Sequence, residues 1–280
     1  MFQSDLLKGK TILVTGGGSG LGLAMSKRFA GLGANVAICG RTGSTLEDAA
    51  GEIDPSGGRV FAHPCDVSDF GQMEATVAAT VERFGAVDGL VNNAAGNFLA
   101  ASEELSPGGF DRVVKIVLHG TFHATLAAGR RMIEAGGGTI LNIVTTYAWT
   151  GSPFVVPSAA AKAGVLAMTR SLAVEWAAYK VRVNAIAPGP FPTEGAWKRL
   201  MASPEMEREA KARVPLRRFG EQQELADLAA YLMADGSAYV NGECVTIDGG
   251  AWLASGGQFS GLLRVPRAEL KGRMEEMKKK

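Results

Sequence analysis

The chain has little of what would mark it for an oxidising compartment, a membrane or a nucleic acid. Three cysteines, Cys39, Cys65 and Cys244, stand among 280 residues. An odd number of thiols in apolar stretches argues against a disulfide framework and reads as buried free cysteine in a reducing compartment. No apolar run approaches the roughly eighteen residues that a membrane span needs. Lysine and arginine number 29 against 28 acidic residues, a formal net charge of +1. That leaves no basic excess to drive counterion release from nucleic acid. The pair His119 and His123, spaced i, i+4, has no third ligand in sight, so no metal is expected. The amino terminus reaches a strand within about ten residues, too soon for a signal or transit peptide. The expectation is a cytoplasmic protein whose closing EEMKKK is a solvated helix end.

What is present is an alternation of short β-rich runs with amphipathic helical ones. The strand candidates are KTILVTG (10–16), NVAICG (35–40), RVFAHPCD (59–66), VDGLVNNA (87–94), GTILNIV (138–144), VRVNAIAP (181–188) and ECVTIDG (243–249). Between them lie helical stretches such as LGLAMSKRFAGLG and FGQMEATVAATVERFG. Ser106 followed by Pro107 reads as an N-cap and a first-position proline, opening a long helix toward Ala135. Val- and Ile-rich strands with little polar alternation, joined by helices, predict a parallel sheet covered on both faces. No linker, shift of composition or solenoid repeat divides the chain. The expected architecture is one Rossmann-type, doubly wound α/β domain over 1–280 with a seven-stranded parallel sheet. An irregular lid is expected near 190–216 and a C-terminal tail near 251–280.

The first strand runs straight into Thr15-Gly16-Gly17-Gly18-Ser19-Gly20-Leu21-Gly22, where a helix starts. Glycines let the backbone turn tightly and let a pyrophosphate approach the amides of a helix N-terminus. After strand one of an α/β repeat, such a loop marks a dinucleotide site. Gly16, Ser19, Gly20, Leu21 and Gly22 are its expected contacts. The second strand ends Cys39-Gly40-Arg41, where a carboxylate would bind ribose hydroxyls. A guanidinium there suits a 2′-phosphate, so the reading is NADPH over NADH; a solvated loop arginine is the plainer alternative. Asp66, closing strand three, either accepts from the adenine amino group or is a plain turn aspartate.

TGGGSGLG, CDVSD, NNAAG at 92–96, the serine/lysine helix at 158–162, PGP at 188–190 and IDGG at 247–250 resemble the short-chain dehydrogenase/reductase family. The resemblance extends over nearly the whole chain. NNAAGNF at 92–98, TTYAWTGSPFVVPSAAAKAG at 145–164, PGPFPTEGAWKRL at 188–200 and the tail GGQFSGLL are most similar to its 2,4-dienoyl-CoA reductases, especially the mitochondrial type. The resemblance implies further cofactor contacts at Val67, Asn92, Pro188, Gly189 and Phe191, and a homotetramer. It sets Phe98 and Ser106 beside a fatty acyl chain. It also sets Arg199, in the lid with Trp197 and Lys198, at a CoA phosphate, with a solvated lid arginine as an even alternative.

Typical members of that family join serine, tyrosine and lysine, the tyrosine four residues before the lysine. Here Thr145 stands at the serine position and Ser158 at the tyrosine position. His119, in the stretch HGT, stands where the family usually has asparagine. The dienoyl-CoA reductases show the same tyrosine change, and in them the phenol comes from the position matching Tyr147.

The chemistry tolerates that change. A reduced ketone becomes an alkoxide that needs an acid beside it. Hydride added to a conjugated thioester lands on a remote carbon, and charge flows to the thioester oxygen as an enolate that needs donors aimed at it. Tyr147, just past strand five, and Asn97, just past strand four, lie at the carboxyl edge of the sheet where such sites form. A rim aromatic and a turn asparagine are the plainer readings. Lys162, amid Ala, Gly and Val, is assigned to the nicotinamide ribose as a source of positive charge. Ser158 is read as a helix N-cap after Pro157, and His119 as a holder of water near Lys162. The expected activity is NADPH-dependent reduction of 2,4-dienoyl-CoA thioesters in β-oxidation of unsaturated fatty acids. A trans-2-enoyl-CoA reductase is the nearest rival. A keto reductase is disfavoured by Ser158, and a non-catalytic NADPH-binding regulator by Lys162 standing with Tyr147 and Asn97.

Overall fold

The computed structural model describes residues 2–193 and 203–278. The strands are β1 (Thr11–Thr15), β2 (Asn35–Gly40), β3 (Val60–Pro64), β4 (Gly89–Asn92), β5 (Gly138–Ile143), β6 (Val181–Pro188) and β7 (Cys244–Ile247). Among the described residues they form one all-parallel, seven-stranded sheet in the order β3-β2-β1-β4-β5-β6-β7. Every residue of β1, TILVT, is buried, as are the four inner residues of β2. That absence of alternation is what a sheet covered on both faces requires. After β3 the chain returns across the sheet to set β4 on the other side of β1, with Val14 opposite both Ile38 and Val91. This reversal opens a crevice at the carboxyl ends of β1 and β4.

The helices that bear on the site are α1 (Gly20–Gly31), α2 (Gly43–Ile53), α3 (Phe70–Phe84), α4 (Pro107–Val114), α5 (Gly120–Glu134), α6 (Tyr147–Thr150) and α7 (Val156–Glu175). Ser106 caps α4 as expected, its hydroxyl accepting from Gly109 N at 3.1 Å ahead of Pro107. The long helix toward Ala135 is not uniform. A π turn over Lys115–His119 separates α4 from α5, and the Thr121 hydroxyl donates to the Val117 carbonyl at 2.7 Å beside it.

The core packs Leu13, Ala37, Leu90 and Ile140 of the sheet against Met73 and Val77 of α3 and Ala124, Ala128 and Met132 of α5. The chain divides into two compact units, Met1–Pro188 with Glu221–Thr246, and Gly189–Gly220 with Ile247–Lys280. The second holds the segment expected as a lid and the C-terminal tail. Its described part of the lid includes a charged helix, Pro204–Arg213. No helix among the described residues is long and apolar enough to cross a membrane.

Candidate active site

A cleft of about 330 Å³ opens at the carboxyl ends of β1, β2 and β3, with Gly16, Ser19, Arg41, Asp66, Val67 and Asn93 on its walls. Its floor is set by backbone geometry. Gly16 has φ +66°, a left-handed turn out of β1 that an L side chain would strain. A Cβ on Gly22 would stand 2.3 Å from the Gly16 carbonyl oxygen, so only glycine lets α1 start this close to the loop. Ser19 is the N-cap of α1 but makes no side-chain capping bond, which leaves the helix amides for an anion. Thr15 and Asn93 lock the loop from behind. The Thr15 hydroxyl accepts from the amides of Asn93 and Ala94, both at 3.0 Å, and Asn93 Nδ2 donates to the carbonyls of Thr15 and Gly16 at 3.1 and 3.2 Å.

Arg41 is exposed at the rim. Across from it, Asp66 Oδ1 accepts from Ser68 Oγ at 2.7 Å and Ser68 N at 2.9 Å. These two bonds, with the Arg41 charge adding to them, hold the Asp66 carboxyl below its ordinary range. An ionised acceptor and a cation thus both line the cleft. The uncapped helix start, the left-handed glycine turn and this charged pair fit a dinucleotide phosphate and its adenosine.

The catalytic candidates gather at the ends of β4 and β5. Asn97 and Tyr147 each stand five residues beyond the registered pair Asn92 and Asn142. Asn97 is exposed, and its Oδ1 accepts from Phe98 N at 2.9 Å. That bond fixes the amide orientation and leaves Nδ2 to donate outward. Tyr147 opens the single turn of α6, and its phenol oxygen lies 3.0 Å from Ser158 Oγ. Lys162, one helical turn beyond Ser158 on α7, is only 7% exposed. Its Nζ donates to the Ile143 carbonyl at the end of β5. Burial pulls its pKa down from 10.5 to about 8, because low dielectric disfavours the charged form.

The structure corrects the reading of Ser158 as a helix cap. The N-cap of α7 is Val155, and Ser158 lies inside the first turn. Pro157 needs no partner for its missing N–H there, so the helix begins ahead of it rather than after it. The Ser158 side chain is 3% exposed and meets Tyr147 instead.

Ser106 spends its hydroxyl on the α4 cap, and the tip of the Phe98 ring lies 3.3 Å from where a Cβ on Gly109 would stand, so the two stand together at the start of α4. His119 is exposed at the end of the π turn, its ring 6.3 Å from that of His123. His123 Nδ1 donates to the Val67 carbonyl at 3.1 Å. Asn92 faces the interior: Nδ2 donates to Thr125 Oγ1 and Asn142 Oδ1, bracing β4 against β5. Pro188 ends β6, and Gly189 N donates to the Ile247 carbonyl at 2.9 Å. The Phe191 ring lies where a Cβ on Gly220 would stand. Trp197, Lys198 and Arg199 lie outside the described residues.

Sequence reasoning missed Thr15, Asn93, Thr42, Thr45 and Cys65, of which all but Thr15 line the cleft. The second asparagine of NNAAG and the threonines around Arg41 were the available signals. Cys39 and Cys65 are free and buried, while Cys244 is only partly buried. Cys65 Sγ lies 3.4 Å from Met73 Sδ, and the neighbouring Cys39 thiol draws the Cys65 thiol below its ordinary pKa.

Comparison with known proteins agrees with this geometry. The family described as Enoyl-(Acyl carrier protein) reductase matches residues 16–251. A Bacillus subtilis protein named "Probable 2,4-dienoyl-CoA reductase [(2E)-enoyl-CoA-producing]" is 45% identical, covering 87% of this chain and 97% of the relative. An Arabidopsis thaliana protein named "Peroxisomal 2,4-dienoyl-CoA reductase [(3E)-enoyl-CoA-producing]" is 41% identical, covering 90% and 88%. The crystal structure of a short chain dehydrogenase from Bacillus anthracis superposes with a TM-score of 0.81 at 46% identity, covering 88% of this chain and 97% of that one. On sheet order, glycine loop and sequence alike, the chain belongs to the short-chain dehydrogenase/reductase family and is an oxidoreductase that uses a nicotinamide cofactor.

Proposed function

We propose that the chain reduces 2,4-dienoyl-CoA thioesters with NADPH. The observation that carries this reading is the Tyr147 phenol held 3.0 Å from the hydroxyl of Ser158, one turn before Lys162. A phenol is thus kept at the site although the usual tyrosine position holds serine. The names of the relatives supply the substrate class.

The nicotinamide, when bound, supplies the hydride. Asn97 Nδ2 and the Tyr147 hydroxyl would act as two donors to the thioester oxygen on which enolate charge collects, and a carbon of that dienolate would then take a proton from solvent to complete the reduction. Each such donor is typically worth about 3 kcal/mol in the transition state. Lys162 would hold the nicotinamide ribose by a hydrogen bond and would supply positive charge to the site. The Ile143 carbonyl already accepts from one of the lysine's three N–H donors, which leaves two to donate elsewhere. Arg41 would hold the 2′-phosphate and Asp66 the adenine, and Arg199 is assigned to a CoA phosphate. A homotetramer in the cytoplasm is the proposed assembly and place.

The test follows NADPH oxidation with 2,4-dienoyl-CoA, trans-2-enoyl-CoA and 3-ketoacyl-CoA in parallel. The expected result is turnover of the dienoyl thioester well above the other two. Preference for the ketoacyl substrate would overturn the reading, and preference for the enoyl substrate would move hydride addition one double bond closer to the carbonyl.

A further inference from the structure

The wall of the cofactor cleft that carries Asp66 and Val67 is a turn bonded largely to itself. Asp66 Oδ1 accepts from Ser68, and the Asp66 carbonyl accepts from Asp69 N at 3.0 Å. Asp66 N donates to Gln72 Oε1 at 2.9 Å. All of these partners belong to the connection from β3 into α3. His123 reaches the turn from another part of the fold. It stands on α5, 56 positions away, with Nδ1 3.1 Å from the Val67 carbonyl oxygen. A carbonyl only accepts, so Nδ1 carries the proton, and Nε2 of the neutral ring is left as an acceptor.

Two contacts hold the imidazole to this bond. Phe70, at the start of α3, lies against it with ring centroids 5.5 Å apart and planes tilted by 57°. Gly120 lets the first turn of α5 settle on the wall, since a Cβ there would stand 2.6 Å from Val67 Cγ2. An apolar ring at position 123 would pack against Phe70 as well; the imidazole adds a donor. Val67 is buried, and both it and Asp66 line the cleft. Without that donor the Val67 carbonyl loses its partner, and a buried carbonyl left unpaired is costly. The cleft on the far side of the turn offers water toward which the peptide can rotate. We propose that His123 is a positioning residue for the cofactor: through the Val67 carbonyl it fixes the turn that presents Asp66 and Val67 to the adenine. This rests on Asp66 taking the adenine, as proposed above, and is independent of the thioester substrate.

The experiment measures dissociation constants of NADPH, NADH and reduced nicotinamide mononucleotide by calorimetry on the wild type, His123→Phe and His123→Asn. Phenylalanine keeps a ring against Phe70 without a donor; asparagine sets its Nδ2 near the place of Nδ1 without a ring. His123→Phe should weaken NADPH and NADH alike, about fivefold each, the scale of one neutral hydrogen bond. The mononucleotide has no adenine, and its binding should be unchanged. His123→Asn should bind all three nearly as the wild type does. Unchanged dinucleotide binding in His123→Phe overturns the positioning role. So does an equal loss for the mononucleotide, a loss confined to NADPH, or a loss in His123→Asn as large as in His123→Phe. Asp66→Ala, measured beside them, should also weaken both dinucleotides and spare the mononucleotide. If it leaves them unchanged, the adenine assignment itself fails, whatever His123 does, and the proposal falls with it.

Discussion

The phenol of Tyr147 and the hydroxyl of Ser158, eleven positions apart, are 3.0 Å from each other. The single turn of α6 brings this about. Gly151, at φ +70°, reverses the chain after it and donates back to the Tyr147 carbonyl. A phenol on a strand-end loop is thereby brought beside the helix residue that stands where the family usually has tyrosine. Ser158 is small enough to leave room for the ring and polar enough to hold its hydroxyl. The two substitutions, tyrosine gained at 147 and lost at 158, make one arrangement.

Arg41 tests the choice of cofactor. It lines the cleft beside Thr42 and Thr45 and lowers the Asp66 carboxyl through space. Removing one charge-assisted contact costs roughly 1.5–3 kcal/mol. Arg41→Ala should therefore raise the KM for NADPH on the order of ten- to a hundredfold and leave that for NADH within a few-fold. Equal weakening of both cofactors in steady-state assays would show that Arg41 does not read the 2′-phosphate.

Gly22 tests the loop. A Cβ there would meet the Gly16 carbonyl oxygen at 2.3 Å and Asn93 Nδ2 at 2.6 Å. Those two groups are bonded to each other, so neither yields cheaply. Gly22→Ala should destabilise the protein by about 1–3 kcal/mol, lower its Tm by several degrees and weaken cofactor binding. Gly31, with nothing within 4 Å of its Cβ position, is the control, and Gly31→Ala should be neutral or slightly stabilising. Differential scanning calorimetry with and without NADPH separates the two effects.

How much of this was legible in the sequence follows from the range of each interaction. The strands showed because each is a short apolar run whose burial on both faces leaves no polar alternation, as in TILVT of β1. The glycine loop showed because its backbone geometry permits few other residues. The partner of Ser158 did not show, because Pro157 is acceptable at either of the first two helical positions and sequence does not say which the helix uses. Starting α7 at Val156 turns Ser158 from a cap into a buried contact. Asn92 and Asn93 are adjacent and alike in type. One braces the sheet and the other locks the cofactor loop, a difference set only by the end of β4.

Lys162 gives a pH signature with opposite signs for stability and activity. Its folded pKa of about 8 lies below the 10.5 of the unfolded chain. Between those values the unfolded state binds more protons, so folding stability rises with pH across that window. Below about 8 the lysine is charged in both states and the full cost of burial is present, on the order of 3 kcal/mol. Lys162→Met should lack this slope in urea titrations at about pH 7.5 and about pH 9.5. Over the same window kcat/KM should fall as the charge is lost, and Lys162→Arg should move that decline to higher pH. A wild-type stability curve flat from pH 8 to about 10 would contradict the depressed lysine.

The Tyr147–Ser158 pair gives the sharpest test. A donor made only in the transition state lowers kcat and kcat/KM together when removed. Tyr147→Phe should cost on the order of 10²–10³ in kcat, with NADPH binding intact. Ser158→Ala keeps the phenol but frees it to rotate, so its loss should be about tenfold, the scale of one neutral hydrogen bond. If Ser158 acts only by holding the phenol, Ser158→Ala should cost nothing further in the Tyr147→Phe background. Ser158→Tyr should not rescue Tyr147→Phe on dienoyl-CoA. A second ring there would need the space that the ring at position 147 already occupies, and its hydroxyl would serve a carbonyl this substrate does not place there. Near-normal turnover of Tyr147→Phe beside an inactive Ser158→Ala would reassign the acid to the usual helix position.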